Sequence, residues 1–307
     1  MFKYILKRIG YMFVTLYIIA TITFFLMKLL PGSPFNDEKL SPEQRQILNE
    51  RYGLGDPVFV QYLTYLKNIA TGDFGVSFKY DGRDVLPLIM ERLPVSAEVG
   101  IYAIFFGVII GVILGVIAAV KQNSWIDYLA TFISVLFVAV PSFVIGTYLQ
   151  YFFGVEWEIL PVAGWDGPLY IIMPAIALMC SPIATVARYI RAEMIEVLGS
   201  DYITLAKAKG NSTVSVLFKH ALRNALIPIV TIVGPMAVFT LTGALTIEQI
   251  FAIPGMCDQF VNSIMTNDYP VIMALTMFFS ILLVVILLVV DILYVIIDPR
   301  IRLDGDS

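Results

Sequence analysis

Charge is scarce in this chain: Asp, Glu, Lys and Arg make up 14% of its 307 residues, against 59% hydrophobic ones. A water-soluble domain cannot bury so large an apolar share, so the composition demands a bilayer as solvent. One histidine and two cysteines leave too little for a paired disulfide framework or a thiolate metal site. Cys180 in an apolar run and Cys257 in a connecting segment read as small packing residues. No G-x-x-x-x-G-K-[ST] stretch occurs, so the usual phosphate cradle for a nucleotide is missing. No apolar segment carries a Ser-His, Asp-Asp or His-rich cluster, which counts against an intramembrane enzyme. The net charge of −4 averages over two sides of a membrane and decides nothing about partners.

What the chain has is long apolar runs. A helix needs about 20 apolar residues to cross a hydrocarbon core roughly 30 Å thick, because every backbone polar group there must pair internally. Six segments qualify: Ile9–Met27, Val99–Val120, Tyr128–Phe153, Leu169–Ala187, Ala225–Ile247 and Val271–Val290. The expected fold is an all-α polytopic membrane protein. The first run is longer than a signal h-region and has no A-x-A-like exit, so it reads as a retained span. Residues 1–8 before it, with Lys3, Lys7 and Arg8 opposite Phe2, Ile5 and Leu6, form either a short interfacial helix or a charged flank.

Cations set the sidedness, since short cytoplasmic segments retain Lys and Arg. Lys3, Lys7 and Arg8 precede the first span, Lys121 follows the second, Arg188 to Arg223 follow the fourth, and Arg300 and Arg302 close the chain. The segments 154–168 and 248–270 hold Glu156, Glu158, Asp166, Glu248, Asp258 and Asp268 but no Lys or Arg. The former group belongs inside and the latter outside, which puts both termini in the cytoplasm. The stretch 31–94 then lies outside as a small helical lobe between the first span, 9–30, and a five-helix core, 95–307. Ser41-Pro42-Glu43-Gln44 caps one helix of this lobe, which Gly53 ends. Asp56-Pro57 opens another, with Phe59, Tyr62, Leu63, Leu66 and Ala70 on one face before Gly72.

The segment 191–224 is the polar exception among the spans. Ser200 or Asp201 can cap a helix in which Tyr202, Leu205, Ala206 and Lys209 stack, and Gly210 supplies a left-handed end. Asn211 or Ser212 caps a second, whose Val214, Leu217, Phe218, Ala221, Leu222 and Ala225 make an apolar stripe, with Lys219, Arg223 and Asn224 facing elsewhere. Two amphipathic helices meeting at a glycine can lie on anionic headgroups or offer a surface to a soluble partner.

These residues also carry a resemblance. A-K-A-K-G at Ala206–Gly210, followed by L-F-K-H-A-L-R-N-A-L-I-P to Pro228, resembles the cytoplasmic signature of binding-protein-dependent ABC importer permeases. L-L-P-G-S-P-F from Leu29, Y-G-L-G-D-P from Tyr52, G-D-F-G from Gly72 and R-L-P-V-S-A-E from Arg92 are similar to the first permease subunit of oligopeptide and dipeptide importers. So are I-E-Q-I-F-A-I-P-G-M from Ile247, N-D-Y-P from Asn267 and D-P-R-I-R from Asp298. In the wider family the signature reads E-A-A, three residues, glycine, nine residues, I-x-L-P. Here Thr204-Leu205-Ala206 and His220-Ala221-Leu222-Arg223 take the flanking places around Gly210. Departure from Glu and Pro fits the peptide branch and leaves Lys207, Lys209 and Arg223 as candidates for the polar docking contact.

The resemblance implies the type I importer permease fold in a bacterial inner membrane. It implies a second, homologous permease, two cytoplasmic ATPases that bind ATP and Mg, and an external peptide-binding protein. This chain would bind no cofactor and no nucleic acid, and its cargo would be oligopeptides, with dipeptides, glutathione or nickel as alternatives. The ATPases would dock on Asp201, Ala206, Lys207, Ala208, Lys209, Gly210, Leu217, Phe218, His220 and Arg223. A passive channel would leave this basic double helix without a job.

Prolines mark a candidate pathway. Pro141 interrupts the third span, Pro174 and Pro182 the fourth, and Gly234-Pro235 the fifth, and freed backbone groups are tolerable only against protein or a wet cavity. Ser142, Ser181, Thr185 and Thr231 lie nearby, placed either for contact with a passing peptide or for ordinary packing. Ala103, Gly107, Gly111, Gly115 and Ala119 stripe the second span at every fourth position, for close approach of a helix of this chain or of the partner permease. Asp291, at the end of an uncharged stretch, faces protein or snorkels.

Overall fold

The computed structural model describes residues 2–29, 55–80, 82–241 and 245–297. The helix expected from Ser41 and the D-P-R-I-R motif lie outside the described residues. The elements used below are α1 (Phe2–Leu29), α2 (Val58–Thr71), α3 (Val85–Val120), α4 (Trp125–Ala139), α5 (Ser142–Leu149), α6 (Leu169–Leu198), α7 (Asp201–Ala208), α8 (Ile227–Leu241), α9 (Leu245–Ile250), α10 (Met256–Met265) and α11 (Tyr269–Ile297). Four helices are long and apolar enough to cross a membrane, Leu6–Leu29, Val85–Val120, Leu169–Leu198 and Tyr269–Ile292, and two bent pairs raise the number to as many as six.

Several elements differ from the sequence expectation, each for a physical reason. Residues 2–8 are the first turns of α1 and not a separate interfacial helix. The third span is two helices, Trp125–Ala139 and Ser142–Glu156, meeting at 98°. Pro141 drives Val140 into extended backbone at φ −89°, ψ 121°, as the residue before proline is barred from the α region. α3, with 36 residues, rises about 54 Å. Its polar first turns therefore extend past a hydrocarbon core of roughly 30 Å.

Two compact units divide the chain: Met1–Val95 with Gly255–Val285, and Ser96–Pro254 with Ile286–Ser307. In the first, Val85, Leu88, Ile89, Met256, Val271 and Leu275 form the core. Asp268 is wholly buried and accepts from Ser77 Oγ and from the Phe78 N–H at 3.0 Å. Ser77 Oγ in turn accepts the N–H groups of Lys79 and Tyr80 at 3.1 and 2.9 Å. Pro57 opens α2 and Gly72, at φ 77°, ends it. The packed face of α2 keeps part of the expected one: Tyr62 is buried and Leu66 half-buried, Phe24 of α1 meets Tyr62 and Tyr65 with ring centroids 5.4 and 5.6 Å away, and Phe59, Leu63 and Ala70 stay exposed.

In the second unit the small-residue stripe of α3 finds its partner within the same chain. A Cβ at Gly107, Gly111 or Gly115 would lie 2.7, 2.8 or 2.7 Å from the Cβ of Pro182, Val186 or Ile190 on α6. The same positions face the carbonyls of Met179, Ile183 and Ala187, one per helical turn. Only glycine lets the two backbones approach so closely. Gly234 of α8 does the same against Val290 of α11.

Gly111→Ala is expected to destabilise the purified chain by about 1–3 kcal/mol through overpacking, and Gly111→Leu to leave no cooperative unfolding transition in detergent. An unchanged melting curve for Gly111→Leu would place the stripe away from α6.

Candidate functional site

The polar segment after α6 folds as an elbow of two arms. Ser200, in extended conformation, opens α7 without a side-chain cap, its hydroxyl donating instead to the Val197 carbonyl at 2.6 Å. α7 closes in a Schellman turn: the Gly210 N–H donates to Lys207 O at 2.9 Å and the Asn211 N–H to Ala206 O at 3.4 Å. Gly210 sits at φ 81°, which a side chain would resist. Ser212 then caps the second arm by accepting the Ser215 N–H at 3.3 Å. That arm runs through Thr213–Ser215, a π-helical stretch Val216–Leu222, and Arg223–Ala225.

The π-helical stretch shifts the apolar register. Val216, Ala221 and Ala225 are buried, at spacings of five and four, whereas Val214 and Phe218 of the expected stripe turn outward, 67% and 58% exposed. On α7 the buried positions are Ile203 and Ala206, and Tyr202, Leu205 and Lys209 are exposed. Inward faces of both arms join one core with Val116 and Ala119 of α3, Val186, Ile190 and Met194 of α6, and Ile229 of α8. Side-chain bonds brace the arms: Asn224 Nδ2 donates to Tyr202 Oη at 2.8 Å and Asn211 Nδ2 to Ala206 O at 3.0 Å.

The ten docking candidates thus separate. Asp201, Lys207, Ala208, Lys209, Gly210, Phe218 and Arg223 are exposed, Leu217 and His220 half-buried, and Ala206 is buried within the elbow. Leu205 and Val214, which were outside the expected set, join the exposed face; for Val214 the register shift of the following π-helical stretch leaves no periodic trace by which to find it. The outward surface combines large apolar side chains with Lys207, Lys209 and Lys219, and can receive a groove carrying acidic residues on its rim.

The pathway candidates are spread over three elements. Pro141 is exposed and Ser142 half-buried at the bend between α4 and α5. Ser181 is exposed and Thr185 half-buried, one turn apart on α6, and Pro174 and Pro182 lie buried inside that helix. Thr231 and Pro235 are half-buried on α8, and Thr231 Oγ1 donates back to Pro228 O. α6 packs against α4, α5 and α8, so the three elements that carry these candidates meet on one helix. Asp291 is half-buried on α11. A groove of about 390 Å³ opens between α3 and α6, walled by Tyr102, Phe106, Ile172 and Met179, with Glu98 as its one carboxylate. Two acids assigned to outer segments are not surface groups: Asp268 is buried, and Glu248, 4% exposed, accepts from Ser96 Oγ at 2.6 Å. In the first unit a cavity of about 330 Å³ is lined by Tyr65, Asn68, Met27 and Tyr269. The Tyr65 hydroxyl is buried without a hydrogen-bond partner, and burial pushes its phenol far above the ordinary range.

Comparison with known proteins agrees with this architecture. Residues 111–303 match the family model described as binding-protein-dependent transport system inner membrane component, and residues 1–100 match that of its N-terminal part. A dipeptide transport system permease protein of Lactococcus lactis is 48% identical, over 99% of this chain and 100% of its own length. The corresponding Bacillus subtilis protein is 46% identical over 99% of each chain. An oligopeptide transport system permease protein of Haemophilus influenzae is 43% identical over 98% of this chain and 100% of its own. A crystal structure of an amino acid ABC transporter with histidines superposes with a TM-score of 0.53 at 17% identity, over 68% of this chain and 94% of that one, and shares the fold.

Ala206→Glu would bury an unpaired carboxylate in the elbow core at a cost of at least about 2 kcal/mol. Limited trypsin digestion is expected to cut this variant at Lys207 or Lys209 several times faster than the parent, with the spans still protected. Equal cleavage rates would show that Ala206 is not part of the packed face.

Proposed function

Because this chain belongs to the binding-protein-dependent transport system inner membrane component family, we propose that it is a permease subunit of an ATP-driven peptide importer, moved through its elbow by ATPase subunits. One observation carries the reading: the elbow has its inner face in the core of α3, α6 and α8 and its outer face of Leu205, Val214 and Phe218 uncovered. A push on the outer face must therefore displace the spans, because the elbow has no loose joint to absorb it. Burying each of those side chains against a partner would contribute about 1.5–3 kcal/mol, a reason for the apolar groups to stand there.

In this reading two ATPases bind ATP and Mg and hydrolyse it, and this chain supplies no catalytic group. A homologous second permease completes the pathway, and an external binding protein delivers peptide. The elbow and both termini lie in the cytoplasm, as the distribution of Lys and Arg supports. The turn at Lys121 and the basic end of α6 stand at one end of the second unit, joined by the Asp127–Arg191 contact, which agrees with a common side for both.

The cargo we propose is oligopeptide, with dipeptide as the second reading, favoured by the names of the relatives at 48% and 46% identity. Uptake competition by a dipeptide and by a hexapeptide separates them, the binding protein being held constant.

Leu205→Glu and Phe218→Glu change exposed positions and leave the core intact. Both are expected to keep normal membrane levels while lowering ATPase co-purification and peptide uptake by about tenfold or more, the equivalent of at least about 1.4 kcal/mol of docking. Gly210→Pro, which cannot adopt a positive φ, should abolish uptake. Full uptake and co-purification in all three would remove the elbow from the docking surface.

A further inference from the structure

α4 turns a buried carboxylate toward α6. Its buried residues are Asp127, Ala130 and Ser134, one carboxylate and two small side chains on a single face. Trp125, Leu129, Phe132, Val135, Leu136 and Val138 all point away and are exposed in this chain. Ile126, Ile133 and Phe137, half-buried, flank the small residues and pack less completely than the core of α6. The carboxylate adds a directed bond to that packing.

Asp127 accepts Arg191 Nε on Oδ1 at 2.6 Å and Arg191 NH2 on Oδ2 at 2.8 Å, a planar two-pronged contact that fixes direction as well as distance. Its Oδ2 also accepts the N–H of Asn123 at 2.9 Å. Asn123 sits in the left-handed region at φ 62°, in a turn that Ser124 Oγ braces on Lys121 O at 2.6 Å. The Asp127 side chain is 2% exposed and the Arg191 side chain 32%, so the carboxylate is shielded from water while the guanidinium keeps one side open to it. The other partner is equally well anchored. Arg191 lies between Ile190 and Met194, both wholly buried in the core that holds the elbow's Ile203 and Ala206.

We propose that the Asp127–Arg191 pair is a positioning clamp, which makes the α3–α4 turn and α4 travel with α6 and the elbow as one body. The proposal rests on the transport reading above and extends it to the third span. A displacement of the elbow reaches α6 through the shared apolar core, crosses to α4 through this ion pair and the packing beside it, and arrives at the 98° bend before α5, which also packs on α6. Asp127 and Arg191 touch neither partner nor cargo; they decide which helices move together. The sequence hides the pair, because Arg191 reads as one more inner cation and Asp127 as a first-turn acid 64 positions away.

The test uses the whole importer, with its partner subunits, reconstituted in proteoliposomes. Peptide taken up per ATP hydrolysed is measured beside the amount of assembled complex. Asp127→Asn and Arg191→Gln are expected to assemble and hydrolyse ATP, with uptake per ATP lowered about tenfold, inside the range that coupling between sites spans. The double variant should be no worse than either single one, since both remove the same contact. Arg191→Lys keeps the charge but loses the fork; it guards against misfolding of the harsher variants and should fall between them and the parent. A purely structural brace would lower assembly, ATPase rate and uptake in proportion, with uptake per ATP unchanged; that result, or full uptake in every variant, would overturn the clamp. If the parent complex itself neither hydrolyses ATP nor takes up peptide, the transport reading fails instead, and the clamp with it.

Discussion

One continuous apolar core underlies the rest of the structure. It begins between α3 and α6, where glycines let two backbones approach, and continues without interruption into the inward faces of the elbow arms. In a bilayer no hydrophobic force drives spans together, so close packing must hold them. Outside the hydrocarbon, the elbow's Ile203 and Val216 gain the ordinary benefit of leaving water, about 25 cal/mol per Å² of apolar surface. The elbow therefore joins both regimes. Its rigidity follows from burial, a Schellman turn and two side-chain braces, and needs no special sequence beyond Gly210.

Much of this was legible before any coordinates. The apolar runs follow from composition, and the break at Pro141, the start of α2 at Pro57 and its stop at Gly72, and the elbow's turn at Gly210 follow from local rules for proline, glycine and caps. What escaped was register and partnership. The stripe on the second arm was drawn with a period of 3.6, and the π-helical stretch Val216–Leu222 replaced Val214 and Phe218 in the core by Val216. On α2 Tyr62 of the expected face packs on Phe24, but Tyr65, stacked on the same ring, takes the place of Phe59, Leu63 and Ala70. The glycine stripe announced a close approach but not to which helix, since spacing carries no information about the neighbour. The burial of Glu248 and Asp127 was not legible, because it depends on partners far away in the chain, Ser96 and Arg191.

The site residues show the same division. Lys207, Lys209, Gly210 and Phe218 stand on the outward face as their positions suggested, and Ala206 turned out to serve the elbow's interior. A motif read as a string mixes residues exposed on the surface with residues that hold the string in shape. The two kinds separate only when burial is known. For the pathway, Ser181 and Thr185 share a face of α6, but the candidates on the α4–α5 bend and on α8 belong to other elements.

The central claim is that elbow and α6 form one rigid body. Spin labels at Ala208 and Glu196, both exposed, report it directly in the assembled importer. The account predicts one narrow distance distribution, the same without nucleotide and with ATP bound, while the distance from Ala208 to a label on the partner permease changes. A distribution that broadens or shifts between the two states would mean that the elbow bends on its own, and would contradict the account.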